Sequence, residues 1–258
     1  MRMHRLFING FNVLVGKPHR ILQKLSLVQA QSGERIWGDG KAVTLWDSLY
    51  IKALSETTEY VSSNLQGANY FKTRSEMFAW IKSEVKEKSG IDSKLVLEFG
   101  VFTGISINQI ATLFPKNSII GFDSFLGLEE NWTGFNLPAK AFSVGGKLPK
   151  VKKNVKLIPG WFSDTLPEFL SNLEEGKSIF LVHMDADTYT PTKLVLNELN
   201  DVINSETIFV FDEYYNYPGW KNHEWKAWQE FIKERSYRYE YLAFSETSVA
   251  VRLITTIG

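Results

Sequence analysis

From residue 95 onward the chain alternates short β-rich apolar runs with segments whose apolar residues recur at helical spacing. The apolar runs are 95–99, 118–122, 155–158, 179–184 and 207–211. The helical runs are 105–114, 166–173, 192–202 and 223–234. Strands that alternate with helices predict a mostly parallel sheet covered by helices on both faces. Two final runs, 238–244 and 248–254, are joined by a short turn around Glu246 and predict an antiparallel hairpin at one edge. The expected fold is α/β and Rossmann-like, with a mostly parallel seven-stranded sheet and an antiparallel C-terminal hairpin.

Residues 1–90 read differently. They carry scattered aromatics and predict helices over 45–64 and 75–88, the second with Ser75 as its cap and Met77, Phe78, Ile81 and Val85 at helical spacing. We expect an N-terminal helical cap, 1–90, preceding a ligand-binding domain, 91–258. One connection is long. Residues 124–154 hold Gly127, Trp132, Gly134, Pro138, Gly145, Gly146 and Pro149. Connections of this length in compact domains are usually functional, and this one leaves a strand end, so a substrate lid is expected there.

Composition narrows the function classes. Of 258 residues, 44% are apolar, enough for a sizeable core. Twenty-nine basic residues balance 29 acidic ones, so no global field recruits nucleic acid or an anionic membrane. With no Cys there are no disulfides, thiolate metal sites or Cys nucleophiles, which fits a cytoplasmic protein. The first residues are basic, then apolar, like the start of a signal peptide. Asn9, Gly10 and Asn12 interrupt the run, and no stretch approaches the ~20 apolar residues of a membrane span.

Ligands of open α/β sheets bind beyond the carboxyl ends of the strands. The first strand ends in Glu98-Phe99-Gly100-Val101-Phe102-Thr103-Gly104, a glycine turn that opens a helix. Gly100 and Gly104 let the backbone approach a ligand closely. Their spacing departs from the dinucleotide fingerprint Gly-x-Gly-x-x-Gly. The second strand presents Asp123, placed to accept hydrogen bonds from ribose hydroxyls. The fourth and fifth present Asp185, Asp187, Asp212 and Glu213. Four crowded carboxylates repel unless a cation neutralises them, and a hard divalent ion is the simplest one. His183 reads as a buried, hydrogen-bonded residue. His223 reads either as a base facing the acceptor or as a solvent-facing helix start.

The order of these segments is specific. The glycine turn is followed by Phe122-Asp123-Ser124-Phe125-Leu126-Gly127-Leu128, Gly160-Trp161-Phe162-Ser163-Asp164-Thr165-Leu166-Pro167, Asp185-Ala186-Asp187-Thr188-Tyr189 and Asp212-Glu213-Tyr214. Together, over roughly residues 95–255, they resemble the class I S-adenosylmethionine-dependent O-methyltransferases. The macrocin and mycinamicin sugar O-methyltransferases are the most similar family, the caffeoyl-CoA and catechol enzymes more distant. The resemblance implies Mg2+ or another divalent cation on Asp185, Asp212 and Glu213, the last where the sugar enzymes usually have Asp. It implies Asp187 on the methionine amino group, Asp123 on the ribose, and Gly100 and Gly104 beside the methionine part. Glu98, Ser124, Gly160 and Trp161 lie in the matching segments and complete the expected cofactor positions.

The expected activity is divalent-metal-dependent methyl transfer to a hydroxyl of a small molecule, a sugar or glycosylated compound first, with Asp185 or His223 taking the proton. The alternatives are a catechol-type acceptor, a metal-free enzyme using His223, a nicotinamide oxidoreductase, and a non-enzymatic S-adenosylmethionine-binding protein. No nucleic-acid partner is expected, and a homo-oligomer is compatible with the sequence.

Overall fold

The structure is a computed structural model that describes residues 28–29, 35–36, 44–85, 90–174 and 176–254. The signal-like N-terminal run lies outside the described residues. Two compact units are distinguished, Met1–Lys52 and Ala53–Gly258. In the first, strands β1 (Val28–Gln29) and β2 (Arg35–Ile36) pair antiparallel. Helix α1 runs Leu45–Asn64, as its apolar period predicts. Among the described residues, no helix is long and apolar enough to cross a membrane.

The second unit is built on one sheet. Its strands are β3 (Asn69–Tyr70), β4 (Leu95–Phe99), β5 (Ile119–Asp123), β6 (Val155–Pro159), β7 (Ile179–Met184), β8 (Ile208–Phe211), β9 (Arg238–Phe244) and β10 (Val249–Ile254), in the order β3-β9-β10-β8-β7-β4-β5-β6. Strands β6, β5, β4, β7 and β8 pair parallel, and β10 pairs antiparallel with both neighbours. The predicted seven strands are all present. An eighth, β3, adds parallel to β9. That short strand lies within the stretch expected as an N-terminal cap, and Ala53 onward belongs to the same compact unit as the sheet.

Helices α2 (Arg74–Val85) and α3 (Ile105–Leu113) pack together, and α4 (Phe162–Ser171), α5 (Tyr189–Leu199) and α6 (Glu224–Arg235) pack in a row. Strand periodicity sorts the core between these layers. Ile208 and Val210 join one cluster with Met77, Phe78 and Ile81 of α2 and Ile107 and Ile110 of α3. Phe209 and Phe211, pointing the other way, pack on Trp228 of α6, with ring centroids 5.3 Å away in each case. Every residue of β4, β7 and β8 is buried, as expected for central parallel strands. From β4 the chain first builds outward through β5 and β6, then returns to add β7 on the other side. The crevice beyond β4 and β7 is therefore the topological switch point where ligands of such sheets bind.

Candidate active site

The glycine turn and the fourth-strand acids meet at that switch point. Gly100 follows β4 with φ 95°, and a Cβ there would lie 1.8 Å from the backbone oxygen of Asp185. Gly100 is thus required by the neighbouring strand exit, whatever ligand approaches it. Gly104 stands at the N-terminus of α3 in left-handed conformation, where a Cβ would come within 3.1 Å of Pro149. Gly160 has φ 142°, and a Cβ there would meet Thr165 at 2.7 Å. Trp161 caps α4 in extended conformation, so that helix starts four residues earlier than the sequence pattern indicates.

Asp123 holds this loop from β5. Its Oδ2 accepts the backbone N–H groups of Val101 at 2.8 Å and Phe102 at 2.7 Å, and its Oδ1 accepts that of Phe125 at 2.6 Å. A carboxylate has about four lone-pair sites, so some capacity remains on Oδ1 for a ribose hydroxyl. Ser124 shapes the same turn, its Oγ accepting the Leu126 N–H at 3.1 Å.

Glu98 differs from expectation. It is fully buried, its Oε1 accepts from Ser106 Oγ at 2.9 Å, and its Oε2 meets His183 Nδ1 at 3.1 Å. Both oxygens serve the protein interior, so Glu98 braces His183 rather than presenting itself to a cofactor. The cause is register: Val96, Glu98 and His183 share the sheet face under α2, where Phe78 packs edge-on against the His183 ring at 5.2 Å.

The remaining acids form two groups with ligand atoms within 4.8 Å of one another: His183, Asp185 and Asp212, then Asp185, Asp187 and Glu213. Arg74, the first residue of α2, enters the first group. Its Nη1 contacts Asp212 Oδ2, Asp185 Oδ2 at 3.2 Å and His183 Nε2 at 3.4 Å. Ser248 Oγ donates to Asp212 Oδ1 at 2.9 Å. Burial works to raise Asp212, but Arg74 and the Ser248 hydroxyl outweigh it and hold it below the usual carboxylate range. Burial and Asp212 push Asp185 up to about 7, against the pull of Arg74.

Asp187 has φ 63°, an uncommon conformation for a non-glycine residue, and its carboxylate has no hydrogen-bond partner among the described residues. Burial, then Asp185, raise it well above the usual range. Burial, then Asp212 and Asp185, do the same to Glu213, whose Oε2 is buried without a partner. Glu224, at the start of α6, is fully buried and accepts the Ala186 and Glu213 N–H groups, both at 3.3 Å. It ties the exits of β7 and β8 together.

Two cofactor expectations can be tested on this geometry. S-adenosylmethionine fits: the unpartnered Asp187 carboxylate follows by two residues Asp185, whose backbone meets Gly100, and an amino group there would satisfy it. A divalent ion on Asp185, Asp212 and Glu213 does not fit. Their oxygens are the right chemistry, but Asp212 already meets Arg74 and Ser248, and Glu213 falls in the other group. His223 is buried against the 124–154 connection, with Nε2 3.4 Å from Thr133 Oγ1 and its ring 6.5 Å from Trp132, and it belongs to neither acidic group. Burial lowers its pKa, opposed by Glu130.

Sequence reasoning missed Arg74, Glu224 and Ser248. Arg74 had a readable signal: Arg74, Phe78, Ile81 and Val85 lie at i, i+4, i+7 and i+11, so the helix that buries the last three turns Arg74 toward the same face. Beginning that helix at Ser75 hid it.

Residues 97–214 match the family described as a methyltransferase domain. Among solved structures, the calicheamicin methyltransferase CalS11 is similar, with TM-score 0.56 and 22% identity over 83% of this chain and 98% of that one. The O-methyltransferase NovP is similar with TM-score 0.50 and 20% identity, over 69% of this chain and 78% of that one. No curated protein matches by sequence. Over residues 97–214 the chain is similar to a methyltransferase domain, and the match spans the glycine turn, Asp123 and both acidic groups.

Proposed function

We propose that the chain transfers a methyl group to a hydroxyl of a small molecule, a sugar or glycosylated compound first. The observation that carries this reading is the pair Asp185 and Asp187 at the switch point, one raised toward neutrality and one without a partner. The sugar preference rests on the segment-by-segment resemblance to sugar O-methyltransferases, and the O-methyltransferase NovP shares the fold.

When bound, S-adenosylmethionine supplies an electrophilic methyl on a sulfonium. Asp187 would hold its amino group, and Asp123 its ribose through the remaining capacity of Oδ1. Gly104, Ser124, Gly160 and Trp161 shape the turns around it. Asp185 would take the acceptor proton. A base works best with a pKa near the operating pH, and about 7 meets that condition where an ordinary carboxylate falls short. The 124–154 connection supplies the cover. It folds on itself through the Trp132↔Leu137 bridge, and Glu130 accepts from Thr190 on α5 at 3.0 Å. Excluding water there and aligning the hydroxyl with the methyl would supply much of the acceleration.

The test is calorimetry with S-adenosylhomocysteine, then label transfer from S-adenosylmethionine to a panel of glycosides and catechols. Binding of S-adenosylhomocysteine with methylation of a glycoside hydroxyl supports the reading. Methylation confined to catechols selects the runner-up acceptor, and binding of NAD in place of S-adenosylhomocysteine overturns the reading.

A further inference from the structure

We propose that Arg74 is the resident cation of this site, its guanidinium standing between Asp185 and Asp212 where a divalent ion would stand and offering its remaining N–H groups to the acceptor oxygen. The proposal rests on the methyltransferase reading above and gives the site its positive charge from the chain itself.

The bracing around Arg74 is one-directional and complete. Ser106 donates to Glu98, and His183 Nδ1 lies 3.1 Å from the other Glu98 oxygen. A carboxylate there calls for the proton on Nδ1, which leaves Nε2 bare to accept from Arg74 Nη1 at 3.4 Å. From the opposite side Ser248 fixes Asp212. A chain of side chains from α3, β4, β7, α2, the β8 exit and the start of β10 thus ends on one guanidinium nitrogen.

That nitrogen carries two hydrogens and faces three acceptors, Asp185, Asp212 and His183. It fills the space between the two Oδ2 atoms. Magnesium demands ligand oxygens at about 2.0–2.1 Å in octahedral array. An ion at that spacing and Nη1 cannot both stand between the same two oxygens.

Every side-chain hydrogen bond Arg74 makes among the described residues runs through Nη1, and a quarter of its side chain (25%) is exposed. Nη2 and Nε are left as donors beside Asp185, the proposed base. A guanidinium keeps its charge at any working pH. It therefore supplies two things a metal would have supplied, a fixed positive charge for a developing alkoxide and a contact that orients the hydroxyl.

The experiment is a manganese titration followed by electron paramagnetic resonance, on the wild type and on Arg74→Met, which keeps a long apolar stem and removes the charge. The wild type should show no saturable uptake of manganese. Arg74→Met should gain a site, with affinity at least about tenfold above wild type, because the competing cation is gone. Wild-type methyl transfer should persist in excess chelator. Tight, saturable manganese binding by the wild type would overturn the proposal, and so would Arg74→Met gaining no site. If Arg74→Met does not fold, Arg74→Ser with added guanidinium replaces it: manganese bound by the variant and expelled by guanidinium supports the proposal, and manganese that guanidinium leaves in place overturns it. Calorimetry with S-adenosylhomocysteine is run on the same samples. Absent cofactor binding would count against the methyltransferase reading, whereas the manganese result decides the role of Arg74 separately.

Discussion

The two sides of the ligand-facing edge treat their carboxylates in opposite ways. On the β5 side, Asp123 meets three backbone N–H groups within 2.8 Å, and its charge is spread over a loop it organises. On the β7–β8 side, Asp187 has no partner among the described residues, Glu213 buries an oxygen without one, and Asp185 and Asp212 share one arginine. A satisfied carboxylate fixes shape, whereas unsatisfied ones are held at the cost of burial and await a proton or a cation. On the proposed reading the β5 side is the mould of the site, and the β7–β8 side is where charge would change during turnover. S-adenosylmethionine carries positive charge on both its sulfonium and its amino group, which suits the second side.

The sharpest way to break that contrast is Asp185→Asn. The amide keeps the shape and cannot take a proton. The rate constant for methyl transfer should fall by about 10²–10⁴-fold, the usual worth of a general base, while calorimetry shows S-adenosylhomocysteine affinity little changed. A rate near wild type would move the base elsewhere.

Asp123→Ala attacks the other side. It removes an acceptor from three backbone N–H groups, with charge-assisted bonds worth roughly 1.5–3 kcal/mol each. Here both stability and cofactor affinity should drop. The melting temperature should fall by several degrees, and S-adenosylhomocysteine binding should weaken at least about tenfold. A lower melting temperature with unchanged affinity would leave Asp123 as the loop's holder and remove it from the ribose.

These two acids also show what the sequence could disclose. All five parallel strands, the hairpin and the order of the chemistry-bearing segments were legible, because period and turn residues are local signals. The site was legible as a list of acids at strand ends. Their partners were not, because hydrogen bonds to Asp123 and Glu98 depend on register across strands. Glu98 looked like the acid of a ligand-binding turn, and only the pairing of β4 with β7 turns it onto His183. Arg74 lies 111 residues from Asp185 in sequence and meets it through the packing of α2. The eighth strand was hidden for a related reason, since a two-residue strand such as β3 carries too little pattern to read.

The 124–154 connection sharpens the comparison from above. It touches both sides: Asn108 Nδ2 on α3 donates to the Lys150 carbonyl at 2.9 Å, and Glu130 meets Thr190 on α5. If it closes over a reacting pair, limited proteolysis within it should slow severalfold when S-adenosylhomocysteine and acceptor are both present. Equal cleavage with and without ligands would make it a fixed wall.

His223→Ala should have the smallest effect. The residue sits just before α6, 6% exposed, among Trp132, Thr133 and Tyr217. Burial lowers its pKa, so it is neutral near pH 7 and adds no charge to either side of the site. Neutral imidazole is a competent base in principle. What argues against that role is place: its described contacts are with the 124–154 connection and the Tyr217 ring, not with Asp185 or Asp187. Truncation should loosen the cover, lowering the melting temperature by a few degrees through lost packing. The methyl-transfer rate should stay within about threefold of wild type, well short of the loss expected for a general base. A loss as large as that of Asp185→Asn would reverse the two assignments. The base would then lie under the lid, and the raised Asp185 would be a partner of Arg74 alone.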